Sequence, residues 1–446
     1  MTMSRTGPAQ SSSLLAVDDR TRRRNRSEAR FRACGVGAIV IAVLALIMLV
    51  VSILGDGLSA FRQAFISFPV TLDAAKLDKS GNRDRAEMSK VTTIGYKSLI
   101  GKALVAELEA RGLVAEGMKK KEITGLLSKE SAAQVRNMVL ADPSLIGETI
   151  RLKTFANGRI DGYFKGRVSL ESAKLDSNVT PAQLHLADKM RQAGMISVSF
   201  NRDFLFGPDA SELRPEAAGL GIAIVGSAYM MLVVLCLALP IGVAASIYLE
   251  EFAPKNRFTD LIEVNIANLA AVPSIVFGIL GLSLFINFMG MPQSAPIVGG
   301  LVLTLMTLPT IIIATRASLK AVPPSIRDAA LGIGASKMQS VFHHVLPLAA
   351  PGILTGTIIG LAQALGETAP LLLIGMVAFV RDYPGAPPDG LFDPAAALPV
   401  QVYNWTQRAD PAFVERASGA IIVLLIFMLI MNIVAIILRR RFERRW

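Results

Sequence analysis

Six long apolar runs constrain the fold of this chain more than any other feature of its sequence. They cover residues 33–54, 220–249, 261–289, 296–315, 351–379 and 417–438. A helix of about 20 apolar residues is long enough to cross the hydrocarbon core of a bilayer, and 52% of the 446 residues are hydrophobic. The pattern predicts an all-α polytopic membrane protein with six transmembrane helices. Three runs exceed one straight crossing, and we expect them to tilt or to kink at Pro240, Pro273 and Pro370.

The lysines and arginines around the runs predict their orientation, because positive residues are retained on the cytoplasmic side. Seven arginines lie within residues 20–32, directly before the first run, and five lie within residues 439–445, after the last. We therefore expect a cytoplasmic tail at residues 1–32 and, after six crossings, a cytoplasmic C-terminus. The net charge of +11 then reflects topology and contact with anionic lipid. It does not favour nucleic-acid binding, because the basic clusters flank the apolar runs.

A long polar insertion, residues 55–216, separates the first transmembrane helix at 33–54 from a core of five further helices within 217–446. The count of crossings predicts that this insertion is an extracytoplasmic α+β domain. The pair Asn157-Gly158 predicts a β-hairpin within 148–164. Apolar periodicity predicts three helices and one further strand, at 98–110, 131–140, 181–194 and 195–201.

The sequence lacks the residues that several kinds of chemistry require. A P-loop requires Gly-x4-Gly-Lys-Ser/Thr, and the single Gly-Lys pair, Gly101-Lys102, is followed by alanine. We therefore expect that this chain does not hydrolyse ATP by itself. The two cysteines lie in or beside apolar runs and predict no disulfide framework. Three histidines, two of them adjacent, predict no metal site. No catalytic residue and no cofactor is predicted.

A segment at residues 323–347, between the fourth and fifth runs, carries helix signals of its own. Gly334 suits a helix C-cap, because glycine adopts a left-handed conformation without strain. The segment therefore predicts a helix, a break and a second helix that ends at Pro347. Helices of two to three turns need a packing partner, either the chain's own bundle or another protein. Two capping-box spacings support the helix starts, at Ser325/Asp328 and Ser336/Gln339.

This segment resembles the cytoplasmic docking loop of ABC-importer permeases. The family pattern is Glu-Ala-Ala, three residues, Gly, nine residues, Ile, one residue and Leu-Pro. The same spacing occurs here, with Asp in place of Glu and His in place of Ile, at Asp328, Ala329, Ala330, Gly334, His344, Leu346 and Pro347. Three further blocks, at 247–252, 262–278 and 366–372, are similar to phosphate permeases of the PstA type. The resemblance covers roughly 203–446.

The resemblance implies the type I permease fold and ATP-driven phosphate import across the cell inner membrane. It implies four partners: a homologous PstC-type permease, two ATP-binding subunits and a periplasmic phosphate-binding protein. It also implies that residues 323–347 dock on the ATPase. The residues expected at that contact are Asp328, Ala329, Ala330, Gly334, Leu346 and Pro347.

Polar residues in or beside the apolar runs are candidates for the translocation path. They are Glu367, Gln363, Thr368, Asn265, Asn268, Ser274 and Arg316. A carboxylate at the bilayer centre costs at least about 2.5 kcal/mol, so we do not expect Glu367 to face lipid. Two roles stay open for Glu367: it accepts a hydrogen bond from the hydroxyl of monohydrogen phosphate, or it pairs with an arginine of the partner permease. Many family members carry arginine where this chain has Gln363, which implies that the partner supplies the phosphate-binding cations.

Other functions remain as alternatives at this point. The nearest is an ABC permease for another oxyanion, such as molybdate or sulfate. An ion-coupled secondary transporter is less favoured, because such proteins usually show internal repeats and no inverted repeat is seen in the sequence. A membrane-anchored sensor or scaffold would place its working part in residues 55–216.

Overall fold

The structure is a computed structural model that describes residues 19–78, 81–114, 117–377 and 379–442. The chain divides into two compact units, Met1–Gly55 and Asp56–Trp446. In the first unit, the helix α1, Asp19–Gly57, contains the first predicted run and continues its N-terminal side by 14 residues. Its stretch around residues 33–54 is apolar enough to cross a membrane, so the first predicted transmembrane helix is confirmed as a helix.

The second unit begins with an inserted α+β domain. Its sheet has three antiparallel strands in the order β2-β1-β3, and β1 pairs with both neighbours. The strands are β1, Arg62–Thr71, β2, Thr149–Phe155, and β3, Ile196–Phe200. Eight α-helices lie in this part of the described chain: α2 (Ala74–Leu77), α3 (Arg85–Met88), α4 (Thr93–Ala110), α5 (Lys120–Thr124), α6 (Ser131–Ala141), α7 (Gly158–Phe164), α8 (Pro181–Gln192) and α9 (Arg202–Phe206).

The predicted hairpin around Asn157-Gly158 is wrong. β2 ends at Phe155, and the side chain of Asn157 accepts a hydrogen bond from the amide of Arg159, which caps α7. An N-cap and a tight turn use the same short polar side chain, and here β2 pairs with the distant β1 instead of a following strand. The other predicted helices and the strand of this domain are confirmed within a few residues. Sequence patterns did not reveal β1, the central strand.

Transmembrane helices α10, Gly221–Ile247, and α13, Pro296–Lys320, run in the same direction. Gly299 lies against Met230, and Gly242 lies against Ile311 twelve residues further along both helices. The Ser246 hydroxyl donates to the carbonyl oxygen of Ile312 at 3.1 Å. The C-terminal ends of the two helices therefore lie at the same end of the bundle.

The third predicted run is not one straight helix. It forms α11, Arg257–Ala270, and α12, Ser274–Gly281, which continues as a π-helix to Phe288. The two are bent by 100° at a break that contains Pro273. Because α10 and α13 are parallel, the bent pair must return the chain across the bundle. It completes the six predicted crossings with the five continuous helices.

The remaining helices alternate in direction. Helix α16, Leu346–Gly366, is antiparallel to α13, with Gly352 beside Ser318 and Gly360 beside Thr307. The close approach of these glycines to α13 is a packing contact. The other helices are α14 (Pro324–Gly332), α15 (Lys337–Ser340), α17 (Ala369–Leu373), α18 (Leu398–Thr406) and α19 (Pro411–Phe442).

Two different parts of the chain occupy the two ends of the bundle. The Arg439 side chain near the end of α19 donates to the Thr355 hydroxyl in the middle of α16. Residues 358–365 of α16 line a cavity together with residues 428–435 of α19, which precede Arg439, so α19 is antiparallel to α16. The segment 323–347 and the end of α19 therefore share one end. The inserted domain sits at the other end, where Gly419 of α19 lies against Ala60 and Phe204. The all-α membrane fold with an inserted α+β domain is confirmed.

Candidate functional site

The segment 323–347, called the docking loop below, is built from local capping interactions. The amide of Gly334 donates to the carbonyl of Leu331, and the amide of Ala335 donates to that of Ala330, both at 3.0 Å. These two bonds form a Schellman motif, and Gly334 has φ of +91°. Ser336 and Gln339 exchange the side-chain and backbone bonds of a capping box. The predicted left-handed glycine and the second capping box are confirmed.

Two details of the predicted loop are wrong. The N-cap of α14 is Pro323, with no side-chain hydrogen bond, so Ser325 and Asp328 do not form a capping box. A proline at the first helical position already has the required φ, and the helix starts one residue earlier. The second helix does not end at Pro347. A π-helix at Val341–Val345 joins α15 to α16 and changes the hydrogen-bond pattern where proline would interrupt an α-helix.

An arginine fixes the base of the docking loop to the transmembrane bundle. The Arg327 guanidinium pairs with Glu251 at 2.7 Å and donates to the carbonyls of Leu319 and Val322 at 2.9 and 2.8 Å. Glu251 belongs to a π-helical turn, Tyr248–Phe252, that ends α10. One side chain thus joins the ends of α10 and α13 to the start of the loop.

The apolar side chains of the docking loop divide between two environments. Ala330, Val341 and Val345 are buried against the chain's own helices. In contrast, Ile333 is 84% exposed, and three further large apolar side chains are exposed beside it in sequence: Leu331, Met338 and Phe342. The loop therefore packs part of its apolar surface on its own bundle and leaves Leu331, Ile333, Met338 and Phe342 exposed among the residues that the structure describes.

The fifth predicted run breaks at Glu367. Helix α16 ends at Gly366, Glu367 is extended with ψ of 128°, and α17 begins at Ala369. The kink predicted at Pro370 is thus a complete break, and Glu367 does not lie inside a continuous helix. Its side chain is half-buried and forms no hydrogen bond or ion pair with the residues that the structure describes. Gln363, one turn earlier, is exposed.

A second broken helix lies beside this break. Gly278 of α12 packs against Pro370, and Gly281 packs against Ile374, so α12 and α17 run side by side in the same direction. This register places Ser274, at the start of α12, level with the residues just before Pro370. Ser274, Glu367 and Thr368 are all half-buried. The structure thereby brings these three predicted path residues to one region of the bundle.

Other predicted path residues do not join this region through any described contact. Asn265 and Asn268 lie exposed on α11, and the Asn265 amide donates to the carbonyl of Leu261 at 2.7 Å. Arg316 lies at the docking-loop end of α13 and pairs with Glu263 at 2.6 Å and with Glu250 at 3.4 Å. Two carboxylates already compensate its charge, so Arg316 is not available as an isolated cation for an anion.

Sequence reasoning missed a group of charges, buried at Asp161, Glu415 and Arg416, that joins the inserted domain to α19. We call it the junction cluster: Asp161, Lys165, Arg167, Glu415 and Arg416. Lys165 pairs with Asp161 at 2.7 Å and with Glu415 at 2.9 Å, and Arg167 pairs with Glu415 at 2.6 Å. The charges Glu415 and Arg416 directly before the last apolar run were the only sequence signal. Their partners lie about 250 residues earlier and were not predictable.

Arg416 is the most buried cation of the junction cluster, with 3% of its surface exposed. Its guanidinium donates to the carbonyls of Ala218 and Glu216 at 2.6 and 2.8 Å, and to the side-chain oxygen of Gln63 at 3.0 Å. The carboxylate of Glu216 accepts a hydrogen bond from Ser128. Burial raises the pKa of the Glu216 carboxyl above its ordinary value. These bonds fix the inserted domain to the core.

Within the residues that the structure describes, no group of three or more His, Cys, Asp or Glu side chains could hold a metal ion. The site geometry therefore consists of a helical loop with an unpartnered apolar face, a pair of broken helices, and a buried ionic joint at the opposite end of the bundle.

Comparison with known proteins relates both parts of this chain to families. Residues 238–446 match the family described as "Binding-protein-dependent transport system inner membrane component". Residues 18–174 match "Domain of unknown function (DUF3333)", which covers α1 and the inserted domain up to the segment before α8.

Individual relatives match the C-terminal half. The chain is 33% identical over 230 residues to "Probable ABC transporter permease protein YqgI" of Bacillus subtilis, covering 49% of this chain and 78% of that protein. It is 32% identical over 230 residues to "Phosphate transport system permease protein PstA 1" of Mycobacterium tuberculosis, covering 51% of this chain and 72% of that protein. Among solved structures, a chain of "Inward facing conformations of the MetNI methionine ABC transporter" matches with 15% identity and a TM-score of 0.38, over 51% of this chain and 95% of that one.

Proposed function

The chain belongs to the ABC-importer permeases of the PstA type, and from this premise we propose that it is a transmembrane subunit of an ATP-driven phosphate importer. Its family establishes it as an inner-membrane component of an ABC importer. Phosphate as the substrate is supported by relatives named phosphate transport permeases at 30–32% identity. Import of molybdate or sulfate is the alternative that the experiments below separate.

The observation that carries this proposal is the docking loop. Its apolar face, with Ile333 84% exposed, suits an aromatic or aliphatic groove on a partner protein. Because Arg327 ties the loop to α10 and α13, motion of a partner ATPase on this loop would move two transmembrane helices together. ATP hydrolysis belongs to two such ATP-binding subunits in the proposal. Asp328 and Ala329 are exposed on α14, and Leu346 and Pro347 are half-buried at the start of α16.

We place the translocation path at the interface with a PstC-type permease. Ser274, Glu367 and Thr368 line it where two helices break, because unwound backbone next to helix ends is common at transport sites. The proposal assigns Gln363 of α16 and Asn265 and Asn268 of α11 to the same path, although no described contact joins them to the region of the helix breaks. Arg316 contributes indirectly: its pairs with Glu250 and Glu263 hold the docking-loop end of the path together. The cations that meet phosphate come from the partner permease.

In the proposed topology the docking loop is cytoplasmic and the inserted domain is extracytoplasmic, where a phosphate-binding protein delivers substrate. A pair of single cysteines tests this in a background with Cys34 and Cys236 replaced by alanine. Leu175→Cys, at a position 93% exposed in the inserted domain, should react with an impermeant maleimide in intact cells. Ile333→Cys should react only after permeabilisation. The reverse pattern would invert the topology.

The proposed function is tested by purifying the complex with its ATPase and reconstituting it in liposomes. Phosphate together with its binding protein should stimulate ATP hydrolysis and drive labelled phosphate uptake, whereas membrane potential alone should not. Stimulation by molybdate or sulfate in place of phosphate would favour the alternative oxyanions. Uptake that persists after replacement of residues 58–217 by a short linker would exclude a sensor or scaffold as the working part.

A further inference from the structure

A cleft on the inserted domain is not used by the proposed function. It runs along α4 and α5, where a cavity of about 550 Å³ adjoins a second of about 180 Å³. The two cavities share Lys97, Gly101 and Thr124 in their linings. A side chain at Gly101 would meet Thr124 at 2.9 Å. The glycine therefore allows α5 to approach α4 closely and form the floor of one continuous cleft.

The rim of this cleft carries a strong excess of positive charge. Five lysines and one carboxylate, Glu109, line the two cavities. None of the lysines forms an ion pair with the residues that the structure describes, and all five are exposed. The nearby Glu122 uses its carboxylate to accept a bond from the amide of Lys119 at the start of α5. The lysines are Lys97, Lys102, Lys120, Lys121 and Lys129.

The floor of the cleft is apolar. Ile94 is 76% exposed at its edge, and Val105 and Ala106 lie behind it. A cationic rim around an apolar floor is the composition of a surface that recognises a polypeptide carrying both acidic and apolar side chains. The volume exceeds what a single inorganic oxyanion needs, and all five lysines are exposed, so a small anion would be poorly held.

We propose that this cleft is the docking surface for an acidic segment of the importer's substrate-binding protein. The family itself is defined by dependence on a binding protein. The inserted domain lies at the end of the bundle opposite the docking loop, and the junction cluster fixes it there. A partner held by the cleft is thereby fixed relative to the outer end of the transmembrane core. The inference rests on the proposed topology and deepens the proposed function.

The test compares two charge-reversal pairs in the complete purified complex. Lys97→Glu with Lys121→Glu reverses charge within the cleft. Lys174→Glu with Lys189→Glu makes the same change in net charge at exposed positions of the same domain outside it. The probe is the purified phosphate-binding protein of the same organism. Its affinity is read by fluorescence anisotropy, and its half-maximal concentration for stimulating ATP hydrolysis is read separately.

The cleft pair should weaken binding and raise the half-maximal concentration at least tenfold, with the maximal hydrolysis rate retained. The control pair should stay within twofold of the wild type. The difference between the pairs should shrink in 0.5 M salt, because surface charges are screened beyond a few ångströms there. Ala106→Trp, which fills the cleft without changing its charge, should weaken binding as well.

Equal affinity of the wild type and the cleft pair would overturn the inference, and so would an equal loss in both pairs, since that would report only net charge. Failure of the proposed function looks different. In that case the wild-type complex itself would show no stimulation by phosphate-loaded binding protein, whereas the anisotropy measurement would still report whether the cleft binds it.

Discussion

The two ends of the bundle differ in which side chains they expose and which they bury. At the docking-loop end, large apolar side chains such as Ile333 remain exposed although buried positions exist one turn away. At the inserted-domain end, the charged side chains of Arg416 and Glu415 are buried: Glu415 is ion-paired with Lys165, and Arg416 is hydrogen-bonded to Gln63 and to two backbone carbonyls. Isolated burial of a charge is costly unless it is paired and hydrogen-bonded.

This difference distinguishes an interface from a joint. An apolar face that its own chain leaves uncovered is available to a partner that binds and releases. A buried ionic group with all its partners inside the chain has no such freedom, because opening it would expose several unpaired charges at once. The inserted domain is therefore a fixed part of this subunit, whereas we propose that the docking loop is a surface for reversible contact.

The largest effect is expected at the joint. Arg416→Ala leaves two buried carbonyls and the Gln63 side chain without their donor, and we expect a loss of about 3–5 kcal/mol in the free energy of unfolding. Thermal unfolding in detergent, followed by size-exclusion profiles, measures it. Arg202→Ala, at an exposed arginine of the same domain, should change stability by less than about 0.5 kcal/mol. Equal stability of both variants would show that the junction cluster is not a joint.

A substitution in the docking loop should weaken assembly with the ATPase and leave folding of the chain unchanged. Gly334→Val places a β-branched residue at φ of +91°, a conformation that costs about 1–2 kcal/mol for residues with a side chain. We expect at least fivefold less ATPase in pull-downs with normal membrane insertion. Gly332→Val, at a helical glycine with open space around it, should keep the yield within twofold. If both variants retain the ATPase, the Schellman turn does not shape the contact.

A substitution at Glu367 tests whether a charge on the inserted-domain half of the bundle can serve transport without contributing to stability. Unlike the junction cluster, its carboxylate has no partner among the described residues. We therefore expect Glu367→Gln to leave the melting temperature and complex assembly unchanged and to lower phosphate uptake about tenfold. Uptake in proteoliposomes at pH 6 and pH 8 measures this. Wild-type uptake at both pH values would remove Glu367 from the path and leave it as an ordinary helix-break residue.

The smallest effect is expected at Glu216, which lies beside the junction cluster. Burial raises the pKa of Glu216 in the folded protein, so its contribution to stability is complete below the unfolded pKa and is lost as pH rises through the folded pKa. Glu216→Gln keeps a polar partner for Ser128 and does not titrate. Relative to this variant, the wild type should lose stability as pH rises above the range in which an ordinary glutamate titrates, by an amount on the order of 1 kcal/mol. Melting temperatures from that range upward measure it, with exposed Glu212→Gln as the control. A parallel pH dependence in wild type and Glu216→Gln would contradict the assignment.

Local patterns predicted the parts of this protein that local interactions build. Gly334 and the Ser336/Gln339 capping box needed only neighbouring residues, and both are confirmed. The Asn157-Gly158 pair failed because its short polar side chain serves an N-cap as well as a turn, and the choice depends on which strand β2 pairs with. Predictions based on one side chain in isolation, such as Arg316 in the path, could not anticipate that Glu250 and Glu263 would bind it.

By itself, the sequence determined that the chain crosses a membrane about six times, carries an inserted α+β domain, and presents a helical docking loop. These properties depend on apolar run length, charge placement and backbone caps, which act over a few residues. Tertiary structure alone decided that the third and fifth runs break beside each other, at Ser274 and Glu367, and that Lys165 meets Glu415. Such contacts depend on the packing of segments separated by about 100 to 250 residues, where no local energy term selects the partner.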